Sequence, residues 1–309
     1  MARKADEAAD KGGEADEKNT GGEVSDFACV ILADRGGVGK TATAALIWAL
    51  LAELGVEPRI GEVEGPKERK MGALLATAQA GEPDPSVLIP TPAELAENPR
   101  LNARTFAPAL SALVRPTRPT LIDNGATVTR GFLDAAEAAD HSEQTDGGRG
   151  LRIVVVAKAE DMQSATSAEG ALQRARATYP NAQVVLVVTH VRLDRQRGTH
   201  NAGPVMAVVE AAGKASAVVL VPFLNNPLLG ELYGEQHIPF HLIARTPVDK
   251  LHALLGDADE QEVRIYRGQY LTWYNTVLSH FAAALGLSAP AERTTKGAAR
   301  PLEAAGTTA

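Results

Sequence analysis

At 309 residues and 45% apolar side chains, the chain has the material for one large α/β domain with its own core. A net charge of -7 excludes the broad basic footprint of a nucleic-acid coat, so any DNA contact is expected to be local and not strong. A single cysteine, Cys29, excludes an intrachain disulfide and a cysteine metal cluster, and no apolar run approaches the ~20 residues of a membrane span. A cytoplasmic protein without membrane contact is expected.

Residues 1–24 are dominated by Ala, Gly, Lys, Asp and Glu, which cannot bury enough surface to offset the entropy of ordering. They predict a disordered tail, as do residues 288–309, leaving 25–287 as the folded domain. The first strand is "FACVILA", residues 27–33, with Cys29 as a small core residue. A glycine-rich turn follows, then a helix carrying Leu46, Ile47, Leu50, Leu51 and Leu54 on one face and stopped by Gly55. "PRIGEVE" is the second strand. Residues 65–118 are Pro- and Ala-rich, with a helical stretch near "ARTFAPALSALV", and yield no order of elements. "TLIDNG", "LRIVVVA", "QVVLVV" and "AVVLVP" complete six apolar runs with little alternation, the pattern of strands covered on both faces. The fold class expected is α/β: a mostly parallel twisted sheet with helices on both faces, P-loop NTPase or Rossmann-like. His237 and His241 lie four apart in "HIPFHL", but Pro239 between them argues against a helical metal face. A final long helix places Tyr266, Tyr270, Trp273, Val277 and Phe281 at three- and four-residue spacing, either as core packing or as a partner groove.

The chemistry concentrates in "ADRGGVGKTATAALIWAL", residues 33–50. A phosphate loop works because backbone N–H groups freed by glycine converge on the anion while the next helix points its positive end at it. Gly36, Gly37 and Gly39 allow that approach, Val38 completes the loop and Ala42 follows it. Lys40 would neutralise the β- and γ-phosphates, and Thr41 would offer its hydroxyl to Mg²⁺. Asp34 stands where the ordinary Walker A pattern begins with glycine. Strand, loop and helix come in the order that nucleotide binding requires.

With Arg35 directly before the double glycine, the stretch resembles the deviant Walker A family of ParA and MinD partition and positioning ATPases, whose loop reads Lys-Gly-Gly-x-Gly-Lys-Ser/Thr. The resemblance implies ATP and Mg²⁺ as cofactors and a nucleotide-dependent homodimer in which the first basic residue reaches the partner's ATP. Arg35 would take that part, or remain a solvated charge at the mouth of the loop; arginine keeps the charge but is not interchangeable with lysine. The resemblance also puts the Walker B or switch aspartate at Asp123, as a second Mg²⁺ ligand with Thr41, although the usual Asp-x-Pro is here Asp123, Asn124 and Gly125. The second strand of the family ends in Asp-x-Asp; here Glu62 and Glu64 hold those places, so Glu64 would orient the attacking water, or both would be exposed strand-end charges. Thr189 would be a base contact. Arg192, Arg195 and Arg197 follow in an arginine-rich loop that could touch phosphate or simply be solvated.

"IDNGA", "RIYRGQY" and "VPFLNNPLLGELYGEQ" also look similar to TraL-type proteins of plasmid conjugation, a ParA-like branch. The function expected is therefore a Mg-ATP-dependent dimerisation switch with slow ATP hydrolysis, recruiting a partner in conjugation or plasmid partitioning. Two alternatives stand: a nucleotide-binding module with little turnover, and an ATP-dependent metabolic ligase on the same fold. Iron-protein relatives are excluded because their shared cluster needs two cysteines from each subunit.

Overall fold

Five consecutive apolar residues form β1 (Ala28–Leu32), and all are buried because helices cover both faces of the sheet at that point. The computed structural model describes residues 26–64, 70–90, 94, 97, 101–114, 116–125, 128–194, 199–201, 217–256 and 258–291. β1 lies between β4 (Thr120–Asn124) and β5 (Leu151–Lys158), parallel to both. β2 (Arg59–Glu64) and β3 (Ser86–Leu88) extend the sheet beyond β4, while β6 (Gln183–Asp194) and β8 (Ala217–Pro222) extend it beyond β5. Among the described residues the sheet is thus seven parallel strands in the order β3-β2-β4-β1-β5-β6-β8. A short strand, β7 (Thr199–Asn201), runs antiparallel to the outer part of β6.

All six strands expected from apolar runs are present. The segment after Thr189, expected as a loop, instead continues β6 to Asp194. Pairing with β7 sustains that extension, and an irregular register between Val188 and Val191, with His190 at φ 58°, turns the strand where it leaves the sheet. The stretch from 65 to 118 resolves into α2 (Lys70–Thr77), β3 and α3 (Leu101–Leu113), the last with Pro108 inside it.

One face of the sheet is covered by α1 (Lys40–Glu53), α2, a π-helical segment (Leu228–Glu235), α7 (Phe240–Arg245), α8 (Val248–Leu255) and α9 (Glu260–Leu285). The other carries α3, α4 (Thr129–Ala138) and α6 (Met162–Thr178), with a single turn, α5 (His141–Gln144), between the last two. Helix α1 was expected to bury one face; every residue from Thr43 to Leu51 is buried, because α7 and α9 close over its outer side. Cys29 packs in this core, where burial pushes its thiol up to about 12.

Helix α9 starts on a capping box between Asp259 and Glu262 and stops at Gly286, whose φ of 68° favours glycine. Tyr270, Val277 and Phe281 are buried and Tyr266 and Trp273 half-buried, so the aromatic stripe is core packing rather than an open groove. Residues 1–24, expected as a disordered tail, lie outside the described residues, as do 292–309 of the second tail. No helix among the described residues is long and apolar enough to cross a membrane.

Candidate functional site

The loop 34–39 leaves the carboxyl end of β1, where the neighbours on both sides are parallel strands reached by separate crossovers. This is the crevice in which open α/β sheets hold ligands. Gly37 and Gly39 adopt φ of +71° and +94°, conformations that exclude other residues without strain. A Cβ on Gly39 would also lie 3.1 Å from Thr189 Cγ2. Gly39 is the N-cap of α1, and no side chain caps that end, so the first N–H groups of the helix face the loop's mouth. Lys40 folds back over the loop and donates to the Arg35 carbonyl at 2.9 Å. Burial pushes its ammonium below the ordinary lysine range, and the carboxylates of Asp123 and Glu64 oppose that shift.

Those carboxylates arrive from two other strands. In the parallel register Asp123 lies opposite Ile31 on β1 and opposite Glu62 on β2, so all three side chains share the α1 face. Burial pushes the Asp123 carboxyl up to about 7, against a hydrogen bond with Thr41; Glu62 and Glu64 add to the rise. Its Oδ1 is buried with no hydrogen-bond partner among the described residues. An orphaned carboxylate oxygen beside a hydroxyl fits Mg²⁺, a hard cation that accepts few protein ligands when phosphate and water complete its shell.

The two glutamates part company. Glu62 is 3% exposed, and its carboxylate accepts the backbone N–H groups of Met71 (2.9 Å) and Gly72 (3.3 Å), anchoring the start of α2. Glu64 is half-buried and lies against Gly125, where an added Cβ would meet its Oε1 at 2.4 Å. Neither is a solvated strand-end charge.

Arg35 is turned toward its own chain: Nη1 donates to Gln163 Oε1, and Nε lies 4.0 Å from Asp161 Oδ2 at the start of α6. Asp34, in the place of the expected glycine, has its carboxyl raised by burial, an effect opposed by the Thr129 hydroxyl at the start of α4 and by Arg174. Asn124 is fully buried, and neither end of its amide has a hydrogen-bond partner among the described residues. Val38 is buried; its carbonyl accepts the Thr189 hydroxyl at 2.7 Å, so Thr189 braces the loop from below. Arg192 is exposed on β6, whereas Arg195 and Arg197 lie outside the described residues. His241 packs edge-on against Trp48, and His237 is exposed.

A cavity of about 180 Å³ opens beside Gly39 and Ala42. Its walls include Thr43, His190, Phe223, Tyr233 and Trp273, none of which the sequence singled out for ligand contact. Their placement depends on β6, β8 and α9 meeting at one end of α1, and no local spacing signals it. The sequence did carry one pointer, an aromatic residue directly after the apolar run "AVVLVP"; in the structure that residue, Phe223, is 53% exposed.

No protein-family model matches the sequence, and comparison with curated proteins yields no relative. Among solved structures, the chain is similar to the MinD cell division protein of Aquifex aeolicus, at 17% identity and a TM-score of 0.44, over 77% of this chain and 96% of that one. It is also similar to a nucleotide-binding protein from Archaeoglobus fulgidus, solved in complex with ADP, at 14% identity and a TM-score of 0.40, over 67% of this chain and 86% of that one.

Proposed function

We propose that the chain is a ParA/MinD-type ATPase, a switch in which Mg-ATP joins two copies and slow hydrolysis separates them, recruiting a partner in plasmid conjugation or partitioning. The observation that carries this reading is the convergence of Lys40 and Thr41 from α1, Glu64 from β2 and Asp123 from β4 at the carboxyl end of β1. The loop's backbone N–H groups and Lys40 bind the β- and γ-phosphates, Lys40 exchanging the Arg35 carbonyl for phosphate oxygen. Thr41 and Asp123 hold Mg²⁺, which neutralises phosphate charge when bound. Glu64, poised over Gly125, orients the attacking water. Arg35 reaches the partner subunit's nucleotide after leaving Asp161 and Gln163.

A static nucleotide-binding module is the second reading, favoured by the engagement of Arg35 within its own chain. Solution mass measured by light scattering separates the two. The switch gives a dimer with Mg-ATP that is lost with ADP and in Lys40→Ala. A mass that ignores nucleotide while ATP still binds would assign the static role. A nucleotide shifts assembly only by as much as it prefers the dimer, so ADP must be the weaker glue.

A further inference from the structure

Two side chains at the start of α6 hold Arg35, yet the groups around the contact are satisfied without it. Arg35 Nη1 donates to Gln163 Oε1, and its Nε lies 4.0 Å from Asp161 Oδ2. The anchor stands by itself: Asp161 Oδ1 caps α6 by accepting the Ser164 N–H at 3.0 Å, and Ser164 Oγ accepts the Lys158 N–H at 2.9 Å. The phosphate loop is likewise fixed by other bonds. The Val38 carbonyl accepts the Thr189 hydroxyl at 2.7 Å, the Gly39 carbonyl accepts the Thr43 N–H at 2.9 Å, and Lys40 Nζ donates at 2.9 Å to the backbone carbonyl of Arg35, not to its side chain. What the contact does constrain is the guanidinium. Such a group recognises an anion through paired N–H donors, and two of its nitrogens are turned to α6.

The contact is also easy to open. The Arg35 and Asp161 side chains are 39% and 32% exposed, so water screens their ion pair, and a pair of this kind shifts an equilibrium by at most about fivefold. Gln163 is exposed and uncharged. So weak a restraint does not lock one chain. A symmetric dimer must open it in both copies, however, and the cost then enters the dissociation constant squared.

We infer that Asp161 and Gln163 form an intramolecular latch on Arg35 that restrains the ATP-dependent pairing of two copies of this chain. The inference rests on the dimer reading above, in which Arg35 acts on the nucleotide of the other copy.

Light scattering over a series of protein concentrations, with Mg²⁺ and a non-hydrolysable ATP analogue, gives the dimer dissociation constant of the full chain and tests this. Asp161→Asn removes the charge but keeps the helix cap, since Asn caps as well as Asp. Gln163→Ala removes the amide with no change of charge. Each should lower the constant by about four- to 25-fold, the square of a two- to fivefold latch. Glu160→Gln removes the charge of an exposed neighbour outside the latch and should leave the constant within about twofold. An unchanged constant in either latch variant would overturn the inference. So would a rise, which would mean that the contact braces the loop for pairing instead of withholding Arg35, or an equal fall in Glu160→Gln, which would reduce the effect to local charge. If the unaltered chain and every variant bind the analogue yet stay monomeric, the dimer reading fails, and this inference with it.

Discussion

At Gly125 the absent side chain matters more than the backbone, because a methyl group there would fall 2.4 Å from Glu64 Oε1. Gly125→Ala should displace Glu64 while leaving the phosphate loop untouched. If Glu64 orients the attacking water, single-turnover ATP hydrolysis should slow by up to ~100-fold with nucleotide affinity changed only a few-fold, since about an ångström of misplacement is enough for that loss. An unchanged rate would remove Glu64 from the reaction. Lys40, Thr41 and Asp123 could be singled out from the sequence because their chemistry travels with fixed spacing: a glycine loop sets the first two, and an apolar strand ending in a carboxylate marks the third. The resemblance assigned the water-positioning part to Glu64, but nothing in the sequence says what Glu62 does. Only the register of β2 against β4 and the start of α2 show that one is bound to backbone N–H groups while the other faces Gly125.

Between elements, a buried histidine pins three helices together. His141 Nε2 donates to the Leu110 carbonyl of α3 at 2.9 Å, and Nδ1 accepts the hydroxyl of Tyr179, just past the end of α6, at 2.7 Å. With one nitrogen donating and the other accepting, the ring is neutral, and burial holds its pKa below the ordinary histidine value despite the Leu110 carbonyl, which favours the charged form. A group whose protonated form is disfavoured by folding contributes stability above its unfolded pKa, about 6.5, and loses it as pH falls toward the lower folded value. Urea midpoints should therefore drop between pH 7.5 and pH 5.5, and His141→Phe should show a smaller drop over the same interval even though it is less stable at pH 7.5. Equal drops in the two proteins would show that His141 does not titrate in this window. Elements of this kind were partly legible. Long apolar runs gave six strands, but β3 is three residues long with only Val87 buried, too short for a period to show. The uniform burial of α1 was equally hidden, because it comes from α7 and α9, distant in sequence.

For the whole molecule, the central sheet separates two apolar clusters that share every interior strand, so neither face can unfold without exposing the other. Both tryptophans, Trp48 and Trp273, sit on the α1 side. Phe132 is fully buried on the opposite side, in edge-to-face contact with Phe106. Phe132→Ala should cost about 3–5 kcal/mol and shift the unfolding midpoint equally by tryptophan fluorescence and by far-ultraviolet circular dichroism. A fluorescence midpoint that stays put would mean that the two layers unfold separately. The overall architecture was readable because parallel strands covered on both faces leave unbroken apolar runs. The β3 edge was not, since so short an edge strand carries no such constraint, whereas β8 at the other edge was read from its apolar run.

One of those edges bears on how the protein behaves in a crowded solution. Among the described residues no strand pairs beyond β3, whose three residues, Ser86 to Leu88, have Pro85 before them and Pro90 shortly after. A foreign strand seeking to extend the sheet finds too few free N–H and C=O groups to register against, and prolines without donors where the ladder would continue. Leu88, 51% exposed, is the apolar residue of this border, and three residues of strand give it little ladder on which a cross-β stack could grow.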